Sequence, residues 1–557
     1  MKSQIGRFIA ITIVLCAPAF AQSTYYVSFS TGSDSNTSTQ AKSKTTPWKN
    51  LKWMKSATSN AASYTVVAGD TFVLMGCDDW PNASFPITGP ITGTSGAHIT
   101  VTVDQTWYNT TSCPSSWNRP IFDAGSAVIN TPECSNPNMY MNLGASAYVD
   151  FYWIELKNFF WTSANVDGSC FGTEVWIKVS NSASHVTIND FYIHSWTVTG
   201  CGVGSCGSTT AGDISAGIFG SCGTCLVDHM VADNSDGTWH TGLGDQWPTT
   251  HSILTYLSNA IKPSTAGGEY GYNDINHIGA SPASGVHPNC IETIGGSPVQ
   301  PYYIHDNRIH DNGMCEGLQV GNANESDYVW NNLWYNNTTT GANGPDIPQN
   351  CSTNVTGLWY VNNTNVDQRS VCASFSGCST SSWTSFFVME NNHCITNGTP
   401  SGTAQSQGML SGGTVTGATT ITFGNNIVES LTTANGQGYN NSQTYVYSPT
   451  SGGSPTVGAG TNLTGSFPGS FSTLDTTYAC TESTVAGVVQ SVCPARTANS
   501  RPTSGAWDSG AYEYQSAPSS PAPAPSPGSF SKLWDPSEIP SAMWGWEGIM
   551  EMGGMRP

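Results

Sequence analysis

The 557-residue chain is short of charge, and shortest of positive charge. Asp, Glu, Lys and Arg make up 10 % of it, with 17 bases against 37 acids and a formal net charge of −20. A field of that sign repels phosphate backbones and anionic lipid, which argues against nucleic acid and membrane insertion. It also disfavours a bare polyanion as substrate unless a cation bridges the two. After the first 21 residues no run of 18 apolar residues occurs, so no later segment is long enough to span a bilayer as a helix. Between residues 151 and 430 the only bases are Lys157, Lys178, Lys262, Arg308 and Arg369. No amphipathic stretch there is long enough for a βαβ crossover, which removes a leucine-rich or other α/β solenoid. Neither a Ser-His-Asp arrangement nor a phosphate-cradling glycine loop stands out. Aromatic residues, in contrast, reach 11 %, and disordered chains lack them.

Residues 1–21 read as an export signal. Lys2 and Arg7 lie on the N-terminal side of a short apolar run, and Ala19-Phe20-Ala21 is a small-x-small cleavage site. The mature protein is therefore expected to be secreted, extracellular or periplasmic. Removing the signal removes Cys16 and leaves sixteen cysteines, an even count that suggests disulfides. Cys201/Cys206 and Cys372/Cys378 are close enough to form local loops. Cys201, Cys206, Cys222 and Cys225 have metal-like spacing, but in an exported chain disulfides are the better reading.

The repeat is clearest between Gly285 and Asn337. YIHDNRIHDN begins at Tyr303 and YVWNNLWYNN at Tyr328, 25 positions on. A short strand pattern recurring at that period suits a stacked coil of parallel strands. Looser copies start at Val149, Val186, Cys225, Leu254, Trp359, Phe387 and Ile421, with irregular spacing that implies loops between strands. The Asn/Asp pairs have a structural explanation, because Asn tolerates the left-handed backbone of a corner and can hydrogen-bond along a ladder. Ahead of the repeats, Pro47 can open a helix from Trp48 to about Ala62, followed by a strand from Thr71 to Met75. Such a unit is a sensible lid for the first rung. After Tyr514 a Pro/Ser/Ala linker and a tail rich in Trp and Met follow. The expected division is 1–21 signal, 22–98 N-terminal cap and first strands, 99–514 coil domain, 515–529 linker and 530–557 tail.

Three segments together resemble secreted right-handed parallel β-helix proteins of the pectate-lyase-like superfamily: YYVSFSTGSDSN…TPWKNL…VVAGDTFVLMGC, the Asn-rich rungs, and RPTSGAWDSGAYEY at the end. The resemblance spans roughly residues 24 to 514. It implies an all-β, right-handed parallel β-helix (a solenoid) with an N-terminal strand/helix cap and a Pro-rich C-terminal tail. That superfamily holds polysaccharide lyases, glycoside hydrolases, epimerases and non-catalytic surface proteins, so the fold does not choose a reaction.

Candidate chemistry centres on GVHPNCIETIGG and MCEGLQVGN. Strand alternation with Ile291 and Leu318 in the core turns Glu292 and Gln319 outward, about 4.8 Å apart on successive rungs. Adjacent Cys290 and Ile291 should not both face inward without a bulge. Glu316 is placed at the corner before its strand, as a second carboxylate, and His287 before Pro288, as a proton carrier near neutral pH. Glu292, Glu316 and His287 are thus the catalytic candidates, because two carboxylates in one groove can divide into acid and base. Asn289 and Gln319 flank them as substrate contacts. The stretch DNSDGTWHTGLGDQWPTTHS reads as a loop over the groove, with Trp239 and Trp247 to stack on sugar rings and His240 and Asp245 as polar contacts. Within it Asp233 and Asp236 form a candidate Ca²⁺ loop. A lyase needs a base and a cation to steady an enolate, and Lys178 and Arg308 are the residues placed for that. The expectation is a secreted protein that cleaves a polysaccharide in an outer groove, preferably by hydrolysis. The alternatives are a Ca²⁺-assisted polysaccharide lyase and a non-catalytic glycan-binding or cell-surface protein.

Overall fold

A computed structural model describes residues 22–514, apart from 126–127, 130–138, 163–174, 200–216, 236–246, 258, 264–266, 279–288, 294–300, 313–317, 320–325, 338–354, 368–371, 375–382, 412–413, 442–445, 467–478 and 494–499. Short strands stack into two long parallel sheets. Sheet I runs, in spatial order, through Thr24–Val27, Thr71–Gly76, Ile99–Tyr108, Ala147–Tyr152, Ser184–Asn189, Leu226–Asp228, Thr249–Thr250, Gly268–Gly271, Tyr302–His305, Ser326–Trp330, Val355–Val361, Trp383–Glu390 and Thr420–Gly424. Sheet II starts at Asp79–Pro81 and ends at Ile427–Ser430, taking one strand from each coil between. Shorter parallel pieces close the remaining sides, among them Ile291–Glu292 against Leu318–Gln319. The result is a parallel β-helix.

Strand alternation sends one residue of each rung inward. In sheet I this gives the column Phe151, Ile188, Val227, Thr249, Tyr270, Ile304, Val329, Tyr360 and Met389. In sheet II it gives Leu156, Ile193, Ala232, Leu254, Ile275, Ile309 and Trp334. All are buried. Each large apolar side chain so placed contributes up to about 1.5–3 kcal/mol. From Phe151 onward rung lengths range from 21 residues (Thr249 to Tyr270) to 39 (Ile188 to Val227), and the rung before, Val101 to Phe151, takes 50.

The corner between the two sheets explains the Asn/Asp pairs. Trp153, Asp190, His229, His251, Tyr272, Asp306, Asn331, Asn362, Asn391 and Asn425 all have φ between 51° and 65°. The next residue points inward, and from Asn273 onward it is always Asn: 273, 307, 332, 363, 392 and 426. Each of the first five backbone N–H groups donates to the side-chain oxygen of the next Asn, at 2.9–3.1 Å. The coil GEYGYNDIN at Gly268–Asn276 belongs to this series, although the repeat reading does not mark it. Leu254 belongs to the sheet II strand Ile253–Thr255, which shares its coil with Thr249–Thr250.

The N-terminal helix expected over 48–62 is replaced by turns and one short helix, Ser59–Ser63. Trp48, Leu51 and Met54 are still buried under the first rung. The Asp34 carboxylate accepts from the N–H groups of Lys49, Asn50 and Thr58, and this holds the segment irregular. The expected strand at Thr71 is present.

The disulfides described are Cys77–Cys113, Cys222–Cys225, Cys372–Cys394 and Cys480–Cys493. Cys372 therefore pairs across the coil with Cys394 and not locally with Cys378. Such bonds place the chain outside a reducing cytoplasm. Among the described residues no helix is long and apolar enough to cross a membrane.

Candidate functional site

The outer face of sheet II carries an unbroken polar row. Asp123, Lys157, His194, Asp233, Thr255, Asn276, His310 and Tyr335 follow one another in register. At the spacing of paired strands the row is about 34 Å long. Beside it on the same face lie Glu155, Tyr192, Asp274 and Arg308. Glu155 meets His194 Nε2 at 3.1 Å, and Lys157 bridges toward Asp123 at 3.6 Å.

Three carboxyls come within electrostatic reach of one another where the C-terminal part of the chain returns to this face. Thr481–Val485 and Val488–Val492 form an antiparallel hairpin clasped by Cys480–Cys493. Cys480, Val489 and Cys493 pack on Val231 and Ile253 of sheet II. The hairpin is pinned by Cys480 N–H to Tyr272 O at 3.1 Å, Ser491 Oγ to His251 O at 2.5 Å, and Arg119 Nη1 to Val489 O at 2.5 Å. This sets Glu482 near Asp233 and Asp274. Crowding by the surrounding chain, then the carboxylates of Asp233 and Asp274, push the Glu482 carboxyl up to about 7. Asp274 behaves in the opposite way. Burial works against its charge, but the hydrogen bond from His310 and the charges of His310 and Arg308 outweigh it and hold its pKa low. Arg308 grips Asp274 through Nε at 2.9 Å and Nη2 at 2.5 Å, and His310 Nε2 lies 3.0 Å from its other oxygen. Asp233 is only partly buried. Carboxyls with pKa values driven apart are what acid–base division of labour requires.

A second ionic group lies around the corner, on sheet I. His305 Nε2 faces Glu269 at 3.1 Å and Nδ1 faces Asp306 at 2.9 Å, so both nitrogens donate and the ring is an imidazolium. Burial opposes that charge, yet the hydrogen bonds to Asp306 and Glu269 prevail and push the pKa up to about 9. The ring lies against Gly271, where a Cβ would come within 2.6 Å of it, and stacks on Trp330 at 4.2 Å. On the corner itself His229 and His251 stack at 4.9 Å above Tyr272.

The residues expected to form the site divide as follows. Ile291 pairs with Leu318 and Glu292 with Gln319, the register read from the 27-residue spacing. Cys290 and Ile291 are nevertheless both wholly buried, because Cys290 sits in the bend before the strand. The Glu292 carboxylate is engaged by Asn289 Nδ2 at 2.8 Å and Lys262 Nζ at 3.4 Å. Asn289 is itself buried, so it holds Glu292 and presents no free face to a substrate. Trp247 is also corrected. It is wholly buried, with its indole N–H on Gly220 O at 3.0 Å, and cannot stack on a sugar. Asp233 folds back on Ser235, accepting from its N–H at 2.8 Å and its hydroxyl at 3.0 Å. Arg308 lies on sheet II and is committed to Asp274, whereas Lys178 lies on the separate strand Val175–Val179, 5.4 Å from the Phe219 ring centroid. Those two bases therefore do not share a sheet. His287, Glu316, Trp239, His240, Asp245 and Asp236 lie outside the described residues. The sequence reading missed Glu482, which only the returning hairpin brings to Asp233 and Asp274.

Stacked parallel strands with an inward Asn ladder define this chain as a parallel β-helix protein, the fold its sequence leads one to expect. Solved structures similar to it include the native GH136 lacto-N-biosidase from Eubacterium ramulus, at 11 % identity over 73 % of this chain and 68 % of that one, with a TM-score of 0.42. Pectate lyase Pel9A is similar at 14 % identity over 89 % of this chain and 98 % of that one, with a TM-score of 0.41. The PL6 family alginate lyase AlyGC is similar at 11 % identity over 65 % and 49 %, with a TM-score of 0.34. No family model and no curated protein matches the sequence.

Proposed function

We propose that this chain is a secreted carbohydrate-active protein that hydrolyses a polysaccharide laid along the polar row of sheet II. The observation that carries the reading is the trio Glu482, Asp233 and Asp274. Glu482 holds its proton near neutral pH and acts as the acid that protonates the glycosidic oxygen. Asp233, partly exposed on the same face, takes a proton from the attacking water as the glycosidic C–O bond breaks. Asp274, fixed by Arg308 and His310, adds its negative charge to the desolvation and to the charge of Asp233 that together keep Glu482 protonated. This differs from the centre expected at Glu292, Glu316 and His287, which remains the competing proposal for the same reaction. A lyase reading is weakened by the commitment of Arg308 to Asp274.

The test is a panel of neutral and uronic-acid polysaccharides. New reducing ends without the ultraviolet absorbance of an unsaturated uronate are expected, and Glu482→Gln should lower the rate by at least about 100-fold. Full activity in Glu482→Gln with loss in Glu292→Gln would move the centre to the other pair. Both signals together would make the protein a lyase, and retention on a glycan with neither signal would make it a binding protein.

A further inference from the structure

We propose that Asp228, His229 and His251 form a binding site for a zinc-class divalent cation on the corner between sheets I and II. The inference does not depend on the proposed hydrolysis. One carboxylate oxygen of Asp228 and one nitrogen from each histidine all lie within 4.8 Å of one another. Asp228 Oδ2 is 2.8 Å from His229 Nδ1, and its Oδ1 is 2.8 Å from His251 Nδ1. A small rotation of the two rings brings three donors onto one ion. Two imidazoles and a carboxylate suit Zn²⁺ and its neighbours better than Ca²⁺, which prefers oxygen alone.

Three further observations point to a built site. The first is the position of the histidines in the corner series. Both sit at left-handed φ, 52° and 53°, where a side chain is strained and where the later coils use Asn331, Asn362, Asn391 and Asn425. Turning the corner does not require imidazole, so its use on two successive coils needs another reason. The second is the support of the carboxylate. Thr250 Oγ1 donates to Asp228 Oδ1 at 2.7 Å and Asn189 Nδ2 to Oδ2 at 3.1 Å, from the coils on either side. Such outer partners orient a ligating carboxylate. The third is access. The side chains of Asp228, His229 and His251 are 18 %, 31 % and 27 % exposed, enough for an ion to enter and keep at least one water or substrate ligand.

The rest of the neighbourhood agrees with this direction. His229 Nε2 faces Cys493 Sγ at 3.4 Å, which leaves Nδ1 as its metal-binding nitrogen. Asp190, at the same corner position one coil earlier, adds a further carboxyl to the field. Three protein donors with an open position are the arrangement of a catalytic zinc rather than of a closed structural one.

The metal-free full-length protein is titrated with Zn²⁺ by calorimetry, and with Co²⁺ by visible absorption, which reports the ligand field. One equivalent of each is expected to bind, with no competition from millimolar-range Ca²⁺. His229→Asn and His251→Asn place in the corner the residue that other coils already use there, so folding is retained while an imidazole is lost. Each should weaken Zn²⁺ binding by at least about 100-fold, and Asp228→Asn likewise. Absence of a stoichiometric site in the wild type, or unchanged affinity in the His229→Asn/His251→Asn double variant, would overturn the assignment. Neither readout uses a polysaccharide, so the outcome is independent of the hydrolysis test.

Discussion

Asn363 shows at the scale of one side chain why the corner is made of asparagine. Its oxygen takes the N–H of Asn332, and its amide donates to Val329 O, Val361 O and Asn392 Oδ1. Removing it orphans several buried backbone groups at once. Asn363→Ala is expected to cost about 2–4 kcal/mol, read as a lower midpoint in urea unfolding, with an unchanged far-ultraviolet spectrum before the transition. Glu482 makes a prediction of a different kind. Its carboxyl must carry a proton to act and titrates near 7, so activity should hold below that pH and fall as pH rises through about 7. Replacing Asp274 with Asn removes a neighbouring negative charge that takes no part in the proton transfers and should move that falling limb to lower pH. A limb that stays in place would separate Glu482 from the reaction. These two residues were unequally legible. The Asn pair is a local pattern with a local cause, whereas nothing near Glu482 in the sequence distinguishes it from an ordinary exposed acid.

At the scale of the element, the hairpin is the part whose position matters most; its strand Thr481–Val485 faces solvent along its length, and its strand Val488–Val492 lies against the coil. Its own disulfide clasps its two ends, while packing of Cys480, Val489 and Cys493 on Val231 and Ile253, with a few hydrogen bonds, seats it on the coil. Replacing Cys480 and Cys493 with Ser should open that clasp and loosen the seat. Hydrolysis is then expected to drop at least about tenfold while the circular dichroism of the coil is unchanged, since its sheets do not depend on that bond. Elsewhere the reading of elements succeeded where periodicity was strong and failed where a tertiary contact took over. The strand at Thr71 follows from its pattern. The helix expected at Trp48 is lost because Trp48 pairs with the first strand, its carbonyl accepting from Ser28 N–H, and because Asp34 takes the Thr58 N–H that an intrahelical bond would need. The coil at Gly268–Asn276 escaped notice because glycine at 268 and 271 hides its alternation, although Asn273 carries the ladder like its successors.

For the whole molecule, the parallel coil was legible because its repeat is written in neighbouring residues, and the candidate site was not because it joins segments far apart in the chain. Ser491 reaches His251 across 240 residues. The segment ending at Tyr514 does the same farther along the corner. Arg501, wholly buried, donates to Asn331 Oδ1, to the carbonyls of Asp508 and Gly510, and to Glu513 at 2.9 Å. Arg501→Ala would leave Glu513 without its buried partner and cut the tie to Asn331. It is expected to destabilise the fold by about 3–5 kcal/mol in equilibrium unfolding, more than Asn363→Ala.

The variation in rung length has a consequence for how such a chain can change. Each coil from Ser184–Asn189 to Thr420–Gly424 turns from sheet I to sheet II through the same two-residue bend, whether 21 or 39 residues have passed since the previous one. Extra sequence is therefore spent at the rim, and the stack beneath keeps its count. New walls can be raised beside the polar row, or old ones shortened, one loop at a time, while the floor on which a substrate would rest stays where it was.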